Sequence, residues 1–125
     1  MDKIILVIED DNDIIDVIKT VLNSNKFAVI GYRRADNILE LINEHNPDLV
    51  LTDYMLPGLT GGRICQLIKE NDSTRNLPVI LMSAYNKVAI SVLNFKYDAY
   101  ISKPFDINKL LKIIQKLTAQ KFTKG

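Results

Sequence analysis

Six side chains with chemical potential stand where strongly apolar runs of this chain stop. Glu9, Asp10 and Asp11 follow "IILVI", Asp53 follows "LVLT", Ser83 ends "VILMS", and Lys103 follows "AYIS". Like charges about 4 Å apart repel by roughly 4 kcal/mol at an effective dielectric near 20. Adjacent acids must therefore point apart into water, cap a helix or share a cation. An all-oxygen cluster suits a hard cation, and Mg2+ prefers carboxylates and water, completing its shell with phosphate oxygens; Mn2+ could substitute. Calcium asks for more ligands and a different loop spacing. Zinc asks for His or thiolate, and His45 and Cys65 sit elsewhere in the pattern. A hydroxyl and an ammonium beside the acids equip such a site to receive a phosphoryl group on a carboxylate: cation and lysine neutralise the oxygens while the hydroxyl donates a hydrogen bond. Taken alone, Glu9 and Asp10 also fit solvated acids at a strand end.

These residues meet only if the right elements carry them. Ile4–Ile8, Phe27–Tyr32, Leu49–Thr52, "PVILMS" and "AYIS" read as strands. Between and after them, helical spacing joins Ile14, Ile15, Ile18, Val21 and Leu22; Ile38, Leu41 and Ile42; Ile64, Leu67 and Ile68; Val88, Ala89, Val92 and Leu93; and Ile107, Leu110, Leu111, Ile114 and Leu117. Asp11 is expected to cap the first helix and Asp36 the second, which should stop at "NPD". "LPGLTGG" is expected to be an irregular loop. Strands that are apolar throughout are buried on both faces and hence parallel. Right-handed crossovers then put helices on both sides of one sheet. The expected fold is α/β, a doubly wound five-stranded parallel sheet of order 2-1-3-4-5, with its crevice at the carboxyl ends of strands 1 and 3. That topology gathers Glu9, Asp10 and Asp53, with Ser83 and Lys103 at the same edge.

Bulk properties narrow the function classes. A chain of 125 residues reads as one domain, 1–125, with a frayed tail from about 120. A net charge of +1 gives no electrostatic case for nucleic acid or an anionic membrane. A lone cysteine excludes an internal disulfide and fits a reducing compartment. No apolar stretch approaches the length of a membrane span, and the N-terminus lacks a signal-peptide pattern, so a cytoplasmic setting is expected. Cys65 and Met82 read as core side chains, and His45 as exposed and without catalytic role. Lys109, Lys112, Lys116 and Lys121 form a basic outer stripe on the last helix.

Together, "ILVIEDD", "LVLTDYMLPGLTGG", "VILMSA" and "AYISKPF" resemble, in order and spacing and over essentially the whole chain, the receiver domain of bacterial two-component response regulators of the single-domain, chemotaxis or sporulation-relay type. The resemblance implies the flavodoxin-like form of the fold above, and Asp53 as phosphoacceptor from the phosphohistidine of a sensor histidine kinase or histidine phosphotransfer protein. It implies Mg2+ held by Asp10, Asp53 and the backbone carbonyl of Met55, with Glu9 helping directly or through water. Ser83 and Lys103 would each hold a phosphoryl oxygen. The Lys103–Pro104 bond would be cis, and Tyr100 would be the switch aromatic. Phosphorylation would then alter the surface of the fourth helix, fifth strand and fifth helix for a downstream protein target or for onward phosphotransfer. No direct nucleic-acid contact, membrane insertion or turnover enzymology is implied, only self-phosphorylation and slow self-dephosphorylation. By the same resemblance Ala84 would leave the phosphoryl group open, whereas Met55 and Tyr85 would flank the path of attacking water.

The sequence departs from the family pattern in places. Glu9 stands for the more frequent Asp, Thr60 for an acid, and "KYDAY" (Lys96 to Tyr100) for a run beginning with Gly, so Lys96 is expected to bear a backbone cost or mark a different helix exit. With no DNA-binding domain expected after the last helix, the chain is expected either to act alone or to be a receiver cut from a larger protein. Two competing functions fit the residues less well. A phosphatase of the haloacid-dehalogenase type needs a second Asp two residues past its nucleophile, where this chain has Met55. A receiver-like binding module that is never phosphorylated sits poorly with the intact set Asp10, Asp53, Ser83 and Lys103.

Overall fold

The computed structural model describes residues 2–119. The expected tail from about 120 and Lys121 lie outside them. Five strands, β1 (Lys3–Ile8), β2 (Phe27–Tyr32), β3 (Leu49–Asp53), β4 (Val79–Ser83) and β5 (Ala99–Ser102), alternate with five helices, α1 (Asn12–Asn23), α2 (Ile38–His45), α3 (Gly61–Glu70), α4 (Lys87–Ser91) and α5 (Ile107–Ala119). The strands form one parallel sheet of order β2-β1-β3-β4-β5.

The apolar runs owe their continuity to two cores. Alternate side chains of a strand point to opposite faces. Ile5, Val7, Leu49, Leu51, Ile80 and Met82 pack with residues of α1 and α5 on one face. Leu6, Ile8, Val50, Val79 and Leu81 pack with α2, α3 and Ile90 on the other. Lys69 on α3 ties down the far end of the sheet. Its ammonium bonds the carbonyls of Arg75 (3.1 Å) and Leu77 (2.9 Å) and the Asp98 carboxylate (2.6 Å). Asp98 in turn accepts from the Val79 amide at 2.7 Å, joining the starts of β4 and β5.

Several local expectations need correction. Asp11 caps α1, accepting from the amides of Asp13 (2.9 Å) and Ile14 (3.4 Å), but α2 is capped by Asn37, which accepts from the Glu40 amide at 3.2 Å. Asp36 instead takes the Arg34 guanidinium at 2.7 Å. The irregular loop ends at Thr60, whose hydroxyl caps α3 by accepting from the Arg63 amide at 3.1 Å, and Gly61 and Gly62 form its buried first turn. His45 is half-buried, its Nε2 lying 2.6 Å from the Tyr32 hydroxyl. The helix expected around Val88 to Leu93 is a five-residue turn, with Val88 and Val92 each 76% exposed; only Ile90 of this helix is buried. Of the two expectations for Lys96, the different helix exit is the one seen: the left-handed residue is Asn94 (φ 56°), and a short polar side chain tolerates that region better than most.

Cys65 is wholly buried in the α3 core. Burial pushes its thiol up to about 12, outweighing the lowering effect of Lys69. At pH 8 such a thiol is ionised in roughly one molecule in ten thousand, and the thiolate is the reactive form. The folded protein should resist an aromatic disulfide reagent at pH 8 and take up one equivalent in urea. Native labelling at the rate of free cysteine would show that α3 opens readily.

Candidate functional site

The acids are placed by strand parity. Glu9 follows β1 and keeps the ladder going, its amide bonding the Tyr32 carbonyl at 3.0 Å, and the Lys103 amide does the same to Ser83 at 2.8 Å beyond β5. Counting by twos along Val7–Glu9, Leu51–Asp53 and Ile101–Lys103, the three polar residues continue the face that packs on α1 and α5. They project where that core runs out. Glu9 has no exposed surface, and its Oε1 lies 2.5 Å from the Lys103 ammonium, which also stands 3.2 Å from Asp53 Oδ2. The other Glu9 oxygen accepts from the Asp11 amide at 3.2 Å.

Asp10 is exposed at the mouth. Glu9, Asp10 and Asp53 each offer a carboxylate oxygen, and these lie within 4.8 Å of one another. Burial raises the Glu9 carboxyl above its usual range, Lys103 opposing and Asp53 adding to the rise. Burial likewise raises Asp53, against the pull of Lys103. Burial would lower Lys103, but its hydrogen bond to Glu9 and the charges of Asp53 and Glu9 outweigh that, so its ammonium is held the more firmly. The cluster carries three acids to one lysine, an all-oxygen donor set with negative charge to spare. It fits a hard divalent cation.

Ser83 and Tyr100 belong to the opposite parity. Ser83 is buried, and its Oγ accepts from the Tyr85 amide at 3.0 Å. The half-buried Tyr100 donates its hydroxyl to the Tyr85 carbonyl. One residue of the β4–α4 loop is thus gripped at its amide by Ser83 and at its carbonyl by Tyr100. Met55 and Tyr85 are exposed beside the site, and the Lys103–Pro104 bond is cis.

Other contributors escaped the sequence reading. A Cβ on Gly61 would fall 2.2 Å from the Asp53 carbonyl oxygen and 2.7 Å from Tyr54 Cα, so only glycine lets α3 close behind Asp53. The repeated Gly of "TGG" was the available signal, and it read equally as a loop. Tyr54 stacks on Phe95 (centroids 6.1 Å) and meets Tyr85 edge-on (5.9 Å), and Tyr97 links Phe95 to Tyr100.

Comparison with known proteins names this arrangement. The profile of the response regulator receiver domain matches residues 5–115. The chain belongs to this family.

The receiver is 35% identical over 117 residues to the phosphate regulon transcriptional regulatory protein PhoB of Klebsiella pneumoniae, covering 92% of this chain and 51% of that one. It spans about half the length of the curated relatives of that kind that it matches. Against the polar-differentiation response regulator DivK of Brucella anthropi it is 27% identical, covering 92% of this chain and 95% of that protein. Among solved structures, a Francisella response regulator receiver domain superposes with a TM-score of 0.84 at 30% identity, over 94% of this chain and 98% of that one. The receiver domain of a sensor histidine kinase from Pseudomonas aeruginosa, solved with magnesium in its active-site cleft, shares the fold at a TM-score of 0.84 and 24% identity, over 96% and 100% of the two chains. Receiver domains are phosphoacceptor signalling modules, not turnover enzymes. No described helix is long and apolar enough to cross a membrane.

Removing one partner from a buried ion pair leaves an uncompensated charge, at a cost of about 3 kcal/mol. Lys103→Met should lower the urea-unfolding free energy of the receiver by about that much, and adding Glu9→Gln should recover at least half. A double variant no more stable than Lys103→Met would show that Glu9 is not the group the ammonium neutralises.

Proposed function

We propose that the chain acts as one receiver unit that takes a phosphoryl group onto Asp53 from the phosphohistidine of a sensor histidine kinase or histidine phosphotransfer protein. The observation that carries this is the Lys103 ammonium 3.2 Å from the buried Asp53 carboxylate, at the carboxyl edge of a parallel sheet. An Asp53 oxygen forms the bond to phosphorus. The P–N bond breaks, and its electron pair returns to the imidazole nitrogen, which takes a proton from solvent. Lys103 shifts its hydrogen bonds toward a phosphoryl oxygen, and Ser83 donates its hydroxyl hydrogen to another.

Glu9, Asp10, Asp53 and the Met55 carbonyl would hold Mg2+, or Mn2+ in its place. When bound, that ion would supply positive charge opposite the phosphoryl oxygens. An apolar recess of about 610 Å³ beside Lys103, between Ile14 and Val17 on one side and Phe105 and Ile107 on the other, adjoins the site and suits a docking donor helix.

The output follows from the grip on Tyr85. A Ser83 hydroxyl turned to a phosphoryl oxygen releases the Tyr85 amide, and movement of that peptide takes the acceptor from Tyr100. The ring then reorients and changes the α4–β5–α5 face, a shift toward a conformation the unmodified chain already samples. A downstream protein target, or onward phosphotransfer, reads that face. The reaction is self-phosphorylation with slow self-dephosphorylation, not turnover, and the setting is cytoplasmic.

Intact-mass measurement after incubation with acetyl phosphate should show a single Mg2+-dependent phosphoryl adduct that Asp53→Asn lacks. No adduct under conditions where another receiver reacts would leave a phosphorylation-independent binding module as the better reading. Met55 and Tyr85, 58% and 49% exposed beside the site, should slow hydrolysis of the acyl phosphate. Its lifetime should shorten in Met55→Asn and Tyr85→Ala, and unchanged lifetimes would remove the shielding role.

A further inference from the structure

Arg33 stands at the mouth of the acid cluster, beside Asp10. It follows β2, whose last carbonyl, that of Tyr32, accepts the Glu9 amide at 3.0 Å. Its Nε donates to the backbone carbonyl of Asp10 at 3.3 Å. The side chain is exposed, and its two terminal amino groups take no partner among the described residues. Arg34, the next residue, is spent differently, its Nε (3.2 Å) and Nη2 (2.7 Å) both closing on Asp36. The loop carrying the two arginines is fastened to the loop after Asp53 by the parallel bridge Ala35–Gly58. Gly58 (φ 73°) makes room for that seam, since a Cβ there would fall 2.7 Å from both Arg34 and Asp36. Arg33 therefore sits on a braced rim, its backbone-facing nitrogen engaged and its fork open.

The charge balance gives the fork a task. A phosphoryl dianion approaching Asp53 meets Glu9, Asp10 and Asp53 against the single ammonium of Lys103. A divalent cation offsets the resident excess but leaves the incoming charges to be met. A guanidinium presents paired donors in the geometry that phosphoryl oxygens accept, and it stays charged at any working pH.

We infer that Arg33 is a positioning residue for the phosphodonor, binding the phosphoryl dianion at the rim before transfer to Asp53. This rests on the proposed phosphoacceptor reading of Asp53. The chemistry recognised is the dianion itself, whether carried on nitrogen, as in a phosphohistidine, or on an acyl oxygen.

The test is phosphorylation of the whole chain at fixed Mg2+, followed by intact mass, with phosphoramidate as the nitrogen donor and acetyl phosphate as the acyl donor. Arg33→Gln, which keeps an amide donor without the charge, should raise the half-saturating concentration of both donors about fivefold and leave the maximal rate unchanged. Arg33→Lys should recover at least half of that loss. Mg2+ binding to Arg33→Gln, followed by calorimetry, should be as tight as in the unaltered chain or tighter. Unchanged half-saturation, a lysine variant no better than the glutamine one, or a lower maximal rate together with weaker Mg2+ binding would each overturn the inference; the last would reduce Arg33 to a prop for the Asp10 backbone. A rise for phosphoramidate alone would overturn recognition of the shared dianion. No adduct on the unaltered chain would sink the Asp53 reading itself, whereas normal phosphorylation indifferent to residue 33 sinks this inference alone.

Discussion

One ammonium organises the functional edge of this protein. Lys103 reaches 2.5 Å from Glu9 and 3.2 Å from Asp53, binding the ends of β1, β3 and β5 to one another through charge. Burial disfavours each ion taken singly, and it raises both carboxyls. Such a pair contributes little net stability compared with a well-packed apolar substitute, yet loss of one member is costly. Its value lies elsewhere: it holds two buried acids close together, in a cluster of three carboxyl groups to one ammonium.

The second organising fact is parity. Side chains alternate across the sheet, so Glu9, Asp53 and Lys103 lie on the α1–α5 side while Ser83 and Tyr100 lie on the α2–α4 side. The acid–lysine cluster and the Ser83–Tyr100 grip on Tyr85 are therefore on different faces of one strand edge. The face that would respond is also the one left open. α4 is a single short turn with Val88 and Val92 in solvent, whereas the opposite face is sealed by two long helices. Few buried contacts mean a low cost of rearrangement.

Much of this was legible in the residues. Strands without alternation had to be covered on both sides, and that requirement leads to the parallel doubly wound sheet and to the meeting of Glu9 and Asp10 with Asp53. The acid, hydroxyl and ammonium at successive strand ends followed from the same order, as did the cap at Asp11. Helix caps elsewhere were less secure. Asp36 and Asn37 are neighbours of nearly equal capping strength; Asn37 takes the cap, while Asp36 pairs with Arg34, two residues earlier in the same loop. His45 read as solvent-exposed because nothing local told that Tyr32, on another element, would receive it.

Local chemistry in this chain, then, determined which segments are strands, which faces are apolar and which residues stand at the strand ends, because periodicity and charge are properties of neighbours in sequence. Tertiary structure alone decided that Gly61 must lack a side chain, that Lys103 prefers Glu9 to Asp53, and that Arg33 leans on Asp10 with its fork open. Each of these turns on a separation of a few ångströms between residues on different segments of the fold, and only their packing together sets such separations.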